Sequence, residues 1–533
     1  MKRLTRTATI ATALAAALGL AACSPGSTGS GSASSGSTSA SGSSGTPHRG
    51  GTMIFDIDSY PQDMNPYSAT ADNVSIAVFG AWWEFLVRPS QDGTGYQPRL
   101  ASSYTVSPDN KTYTFKIRQG VKFSDGTPMT TADVLFSLHR AFTDANSQIA
   151  FVGQKISSMT APDAQTVVIK FKQPWPYLLS DLSGFNAAIL PKALIKREGY
   201  AAFLKHPVGT GPFMWSSSSP GVSITTTRNP YYWEKGRPYL GSIVFHVVSA
   251  DTARATAVQG GQATLAEDPP LNEISSLRAN PAVKVYVFPS TLVELIPLNV
   301  NKPPLNNEKV REAISLGIDR PAIVKAGLFG YGTPATTFLV GPPAQTFQNS
   351  SLNLYPFNLA KARQLLKESG VRLPIHLQFG VSQGVAQQAI STIMQANLAK
   401  IGIQLNVLQR DFVSNENALD SGSFTMNTTF WGNFVGDPSE QPLFWMDPSY
   451  CCKSYFTGFN DPASIALVHK AVNATTATAA RPLFDQVQRK VAQTAHAIPL
   501  YFPKLTYAAS PKLAGFEANP YGTYPFEQFN LSG

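Results

Sequence analysis

From Met53 to Ile57 apolar and polar side chains alternate as Met-Ile-Phe-Asp-Ile, the two-residue period of a half-buried strand. Asn73 to Leu86 follows with Ile76, Val78, Phe79, Trp82 and Trp83 as its apolar positions, which predicts a helix. Tyr113–Ile117 reads as a strand, Ser124–Pro128 as a turn, and Thr131 as the N-cap of a helix carrying Val134, Leu135 and Leu138. Short strands are predicted at Val167–Phe171, Val222–Thr227 and Ile243–Val248. Further on the pattern changes. Ile375–Phe379 alternates as a strand, and Gln383–Ile401 carries a helical stripe of Ile390, Ile393, Met394, Leu398 and Ile401. Gly402 stands where a helix C-cap is expected, and Ile403, Leu405 and Val407 alternate as a second strand. Strand, helix and strand of these lengths predict a βαβ unit with two parallel strands and a right-handed crossover. The body is therefore expected to hold two domains of mixed α/β type.

The N-terminus has a different grammar. Lys2, Arg3 and Arg6 precede an apolar run from Ala8 to Leu20 and a small-residue close, the layout of a secretory signal peptide over residues 1–22. The run is shorter than the roughly 20 residues needed to cross a hydrocarbon core. Leu20-Ala21-Ala22-Cys23 resembles the bacterial lipobox, which implies a diacylglyceryl group on Cys23 as the mature N-terminus; two acyl chains anchor stably where one does not. Residues 23–48 are mostly Ser, Gly, Thr and Ala, too polar and small to repay ordering entropy, so they read as a flexible tether.

Composition narrows the function. The formal charge of +9 falls to +6 once the leader is removed, and no basic run could track a phosphate backbone, which argues against nucleic acid as a partner. Only 14% of residues are charged, so polar contacts fall to Ser, Thr, Asn, Gln and aromatic edges. The three cysteines build no disulfide framework. Cys451 and Cys452 are adjacent, with Cα atoms about 3.8 Å apart when trans, below the usual disulfide window. A strained vicinal disulfide and two thiols both remain open. The seven histidines show no H-x-x-x-H spacing, so no metal or other cofactor is expected, and no phosphate-binding G-x-x-x-x-G-K-[ST] loop occurs.

One enzyme-like motif stands out. Gly380-Val381-Ser382-Gln383-Gly384 matches G-x-S-x-G between a predicted strand and a predicted helix, the context of a nucleophile elbow. A secreted serine hydrolase using Ser382 would take its base from His469 or His496, the only downstream histidines, and no His-Gly-Gly-Gly segment offers an oxyanion loop. Aromatic residues gather near predicted loops at Trp82-Trp83, Tyr231-Tyr232-Trp233, Trp431, Phe434, Phe444-Trp445 and Tyr450. A subset of these could wall a cleft for a small ligand.

Several ordered motifs carry a resemblance: Met64-Asn65-Pro66, Gly120–Pro128 with Thr131-Ala132-Asp133-Val134, Pro207–Phe213, and Arg228-Asn229-Pro230-Tyr231-Tyr232-Trp233. Val310-Arg311-Glu312-Ala313-Ile314, Ile318-Asp319-Arg320 and Asn358–Leu366 extend it. With them, residues 50–533 resemble bacterial family 5 of the extracellular solute-binding proteins, the peptide/nickel/oligosaccharide-binding family that serves ATP-binding-cassette importers. The resemblance implies a two-lobed periplasmic-binding-protein-like α/β fold of type II, in the large cluster with an extra subdomain at about 87–200. Lobe 1 is expected at 49–288 and 498–533 and lobe 2 at 289–497, with crossings near Phe288-Pro289-Ser290 and Ala497-Ile498-Pro499 and a cleft between the lobes.

The family also implies capture by hinge closure and delivery to permease and ATPase subunits. The protein would act as a monomer, lipid-anchored outside the cytoplasm, at a Gram-positive surface or in a periplasm. Peptide-binding relatives carry a cleft segment running from a Trp to Asp-Pro, with an aspartate three residues after the Trp that pairs with the ligand ammonium. Here the segment is Trp431-Gly432-Asn433-Phe434-Val435-Gly436-Asp437-Pro438, and Phe434 holds that position. The expected ligand contacts are Trp431, Asn433 and Phe434, with Trp445, Trp82 and the segment after Asn65-Pro66 as further candidates. The solute is expected to be of the oligopeptide or oligosaccharide class, with Phe434 in place of the ammonium-pairing aspartate favouring a neutral ligand such as an oligosaccharide.

Overall fold

The computed structural model describes residues 47–61, 63–67, 73–339, 347–432, 438–450, 454 and 456–532. The leader and tether with Cys23, the contacts expected from Asn433 and Phe434, and the Cys451-Cys452 pair lie outside the described residues.

The strand expected after the tether forms over Thr52–Ile57 and is the axis of a seven-stranded sheet. It pairs in parallel with Ser242–Val247 on one side and Leu265–Glu267 on the other. Antiparallel strands extend the sheet to Phe213–Ser219 at one edge and Lys284–Phe288 at the other. The strand Leu505–Ala509, near the C-terminus, sits inside the sheet between Leu265–Glu267 and Lys284–Phe288, so this late strand shares one sheet with Thr52–Ile57. A separate antiparallel sheet of four strands, Ala101–Val106, Thr112–Ile117, Thr166–Phe171 and Ile156–Asp163, occupies the region between.

The βαβ unit is present: Ile375–Ser382, helix Val385–Ala399 and Ile403–Arg410, with the strands parallel and in register from Ile375↔Ile403 to Ser382↔Arg410. The predicted stripe packs as its period requires, with Ile390, Met394 and Leu398 fully buried, and Gly402 ends the turn at φ 86° where a side chain would be strained. Met426–Asn427 adds a third parallel strand on the other side of Ile375–Ser382. Through the bridge Leu298↔Met426 this sheet meets a four-stranded one ordered Gly332–Pro334, Ala497–Pro503, Leu292–Pro297 and Thr429–Gly432.

The chain passes from the seven-stranded to the four-stranded sheet at Pro289–Thr291. It returns at Lys504, because the whole of Ala497–Pro503 pairs within the four-stranded sheet, later than the Ala497–Pro499 position read from the sequence. The two passages touch where the Ser290 hydroxyl donates to the Pro503 carbonyl, and the Thr291 amide separately donates to the Pro520 carbonyl of the C-terminal segment at 3.0 Å.

Two local expectations differ from the structure. The helix expected to run to Leu86 stops at Phe79. Beyond Gly80 the backbone is claimed by distant partners: Gly211 donates to the Trp82 carbonyl at 3.0 Å, Phe213 to Ala81 at 2.9 Å, and Ile189 to Glu84 at 3.1 Å. Tertiary hydrogen bonds replace the helical ladder there. The N-cap of helix Thr131–Ala141 is Thr130, one residue early, and Asp133 closes the capping box by accepting from the Thr130 amide at 2.8 Å.

The motifs that carry the resemblance build this frame. A Cβ on Gly209 would sit 1.9 Å from the Trp82 carbonyl oxygen, so only glycine lets the Pro207–Phe213 segment lie on that backbone. Asn229 donates from Nδ2 to the Gly211 carbonyl at 2.9 Å, and Trp233 donates from Nε1 to Glu84 at 2.7 Å. Arg99 unites Glu84, Glu234 and Tyr232, while the Arg118 guanidinium lies 4.1 Å above the Trp233 ring. Arg311 and Arg320, both buried, donate to the carbonyls of Thr494 and Pro499 at 2.9 and 2.7 Å and so tether the returning strand.

Candidate functional site

Trp431 lies on strand Thr429–Gly432, and the helix that follows, Glu440–Met446, is buried along its whole length. The Trp431 ring packs 4.2 Å from Phe444, and Phe444 lies 4.9 Å from Tyr450. Tyr450 meets Phe151 at 5.4 Å, Phe151 meets Trp175 at 5.9 Å, and Trp175 meets Tyr177 at 5.1 Å. A continuous chain of six aromatic rings thus joins the 429–450 segment to the 151–177 segment. Polar contacts run beside it. Tyr450 donates to the Gln148 carbonyl at 3.4 Å, and Lys155, 4.5 Å above the Trp175 ring, donates to Asn473 Oδ1 at 2.8 Å. The rings are packed on one another, with Trp431, Phe444 and Trp175 8%, 5% and 2% exposed.

The expected contacts divide on this geometry. Trp431 belongs to the aromatic chain and is 8% exposed. Trp445 is fully buried, stacked on Phe338 at 5.1 Å, with its carbonyl accepting from His496 at 3.0 Å. Trp82 is fully buried against Phe79 and Trp83 in the core. Phe151, Trp175 and Tyr177 were not anticipated. Trp175-Pro176-Tyr177 is an aromatic cluster in the sequence, but no period ties it to Trp431.

Next to Trp431's strand lies an acidic group. Glu294, on Leu292–Pro297, stands opposite Phe430 on one neighbour and Tyr501 on the other, and it accepts from Gln387 Nε2 at 3.2 Å. Burial pushes its carboxyl up to about 8, with the Glu416 charge adding to the rise. Glu416 is itself raised to about 7 by burial. At neutral pH Glu294 is thus mainly a neutral acid that can donate as well as accept.

The parallel strands bring a second group of polar side chains together. Ile375–Ser382 has parallel neighbours on both sides, reached by connections that run in opposite directions, so its carboxyl end is a topological switch point. Ser382, Arg410 and Asn427 gather there. Gly380 makes room for them, since a Cβ would lie 1.7 Å from Asn427 Oδ1 and 2.8 Å from Arg410 Nη1. A cavity of about 210 Å³ is lined by residues including Glu84, Arg88, Arg99, Glu517 and Glu527, and four of these five charges pair with one another, Arg88 with Glu527 and Arg99 with Glu84.

The serine-hydrolase reading finds no support in this arrangement. His496 accepts from Thr494 Oγ1 at 2.7 Å and donates to the Trp445 carbonyl, and burial depresses its pKa to about 3. His469 is bonded to Asp447 at 2.7 Å. Among the described residues neither histidine reaches Ser382, so the G-x-S-x-G match marks a strand-to-helix turn.

The model of bacterial extracellular solute-binding proteins, family 5 (middle region), matches residues 95–450. The glutathione-binding protein GsiB of Escherichia coli K12 is 31% identical over 483 residues, covering 88% of this chain and 92% of GsiB. Its Shigella flexneri counterpart is 32% identical over 484 residues, with the same coverage. Among solved structures, the ABC transporter-associated periplasmic binding protein DppA of Helicobacter pylori, in complex with peptide STSA, superposes at TM-score 0.81. It is 24% identical, with 91% of this chain and 99% of that one covered. The oligopeptide-binding protein AppA of Bacillus subtilis, in complex with a nonapeptide, gives TM-score 0.80 at 21% identity, covering 92% and 100%. The α/β fold is the one these binding proteins share, as expected from the sequence.

Proposed function

Because the chain belongs to family 5 of the bacterial extracellular solute-binding proteins, we propose that it captures a small peptide-class solute for an ATP-binding-cassette importer. The observation that carries this reading is the aromatic chain from Trp431 to Tyr177. It draws its rings from two segments far apart in sequence, so a ligand held along it touches both and favours the state in which they meet. Closure turns about the paired passages at Pro289–Thr291 and Lys504, where a few residues absorb the dihedral change. On this reading the lobes are residues 49–288 with the C-terminal segment after Lys504, and residues 289–503. Trp431 is a ligand contact from the second of these, and Asn433 and Phe434 are assigned the same role from the sequence alone.

The relatives favour a peptide over a sugar: GsiB binds glutathione, itself a tripeptide, and the DppA and AppA structures hold peptides. Phe434 in place of an acidic residue fits a ligand whose ammonium is not read at that position. Cys23 carries the lipid, the Ser/Gly-rich tether holds a monomeric trap clear of the membrane, and the closed form is what the permease accepts while its ATPase partner supplies the energy. The test is a tryptophan-fluorescence titration of the purified protein with glutathione, mixed tripeptides and maltotriose, with small-angle scattering of each mixture. Peptide-dependent quenching with a smaller radius of gyration is expected. Response to the sugar alone, or binding without compaction, would contradict the proposal.

A further inference from the structure

Two buried glutamines of this chain have opposite surroundings. Gln488, 1% exposed, uses its whole carboxamide. Its Oε1 accepts from Thr337 Oγ1 at 2.7 Å and from the Asn349 amide at 3.0 Å, and its Nε2 donates to the carbonyls of Phe347 and Phe484 at 2.9 and 3.1 Å. Gln441 is 0% exposed, and neither its Oε1 nor its Nε2 has a hydrogen-bond partner. It is the one amide in the buried helix Glu440–Met446, followed by Pro442, Leu443, Phe444, Trp445 and Met446. A leucine there would avoid the cost of burying an unpaired donor and acceptor. Packing alone therefore gives no reason for glutamine at this position.

Its place supplies one. Gln441 precedes Phe444 by three residues, so the two share a helix face. Phe444 is the ring that touches both Trp431 and Tyr450. The carboxamide is thus carried on the face that builds the aromatic wall. We infer that Gln441 reads the main chain of a peptide ligand, donating from Nε2 to a carbonyl and accepting at Oε1 from an N–H. In an extended peptide the N–H and C=O of one residue point to the same side, the pair a carboxamide can bridge. A carboxylate, which only accepts, would leave Oε1 unpaired. This inference rests on the solute-binding reading above and names the chemistry its ligand must have.

The test uses purified full-length protein in detergent, with calorimetric titration of glutathione, trialanine and maltotriose into wild type and Gln441→Leu, and thermal melts of both without ligand. The expected result is a 10- to 100-fold loss of peptide affinity in Gln441→Leu, with an unliganded melting temperature equal to or above that of wild type. Peptide affinity unchanged within twofold would overturn the role of Gln441 and leave the solute-binding reading standing. Wild type that binds maltotriose and neither peptide would overturn the inference and the peptide class together. Wild type that binds none of the three would overturn the solute-binding reading, and the inference with it. Should the leucine variant fail to fold, ester-for-amide analogues of the tighter peptide probe wild type from the ligand side. One analogue is expected to lose tenfold or more, and equal binding of all of them would overturn the inference.

Discussion

Replacing Glu294 by glutamine should stabilise this protein, and by an amount that depends on pH. Glu294 is 6% exposed, and its carboxyl is raised from an ordinary 4.5 to about 8, first by burial and then by Glu416. The folded state therefore holds the proton more tightly than the unfolded chain. Stability is complete below the unfolded pKa and is lost as pH climbs toward the folded one, at about 1.4 kcal/mol per pH unit. From 4.5 to pH 7 the loss reaches about 3 kcal/mol. Glutamine keeps the volume and can still accept from Gln387, but it carries no ionisation to suppress. Urea unfolding followed by circular dichroism at pH 5, 6, 7 and 8 measures the difference. Glu294→Gln should exceed wild type by less than about 1 kcal/mol at pH 5 and by about 3 kcal/mol at pH 7. A gap that does not widen with pH, or a variant less stable than wild type at pH 7, would refute the reasoning.

Three further outcomes follow from the frame and the aromatic wall. Arg99→Met should cost about 3–5 kcal/mol in chemical denaturation, because it strands the buried Glu84 carboxylate beside Glu234. Gly209→Ala should cost about 3 kcal/mol, the upper end of overpacking, since its methyl group meets the Trp82 carbonyl; a melt within a degree of wild type would show that the backbone yields freely. Tyr450→Leu removes the ring contacts to Phe444 and Phe151 and should weaken solute binding by about threefold to tenfold in calorimetry, with a loss of about 1–2 kcal/mol in unliganded stability.

What could be read in the sequence depended on whether local period and tertiary demand agreed. In the βαβ unit they did: Leu377 and Phe379 alternate into the same core that Ile390, Met394 and Leu398 enter from the helix. At Trp82-Trp83 they did not. The apolar spacing continued a helical pattern, yet backbone hydrogen bonds from Gly211 and Phe213 hold the segment out of the helix. Aromatic density is an ambiguous sign of a cleft, since Trp82, Trp431 and Trp445 are all buried and only Trp431 belongs to the ring chain that reaches Phe151. Phe151 and Trp175 were invisible because their partners lie in a distant part of the chain. Glu294 and Gln441 were invisible for another reason: Glu294 is distinguished by the burial that raises its carboxyl and Gln441 by the partners its carboxamide lacks, and sequence records neither.

The most direct test of the central claim is native mass spectrometry of the protein purified from its own producing cells. A bound small molecule that is released on denaturation and fragments as a peptide is expected. Protein that carries no cargo, and shows no adduct when a pool of short peptides is added, would contradict it.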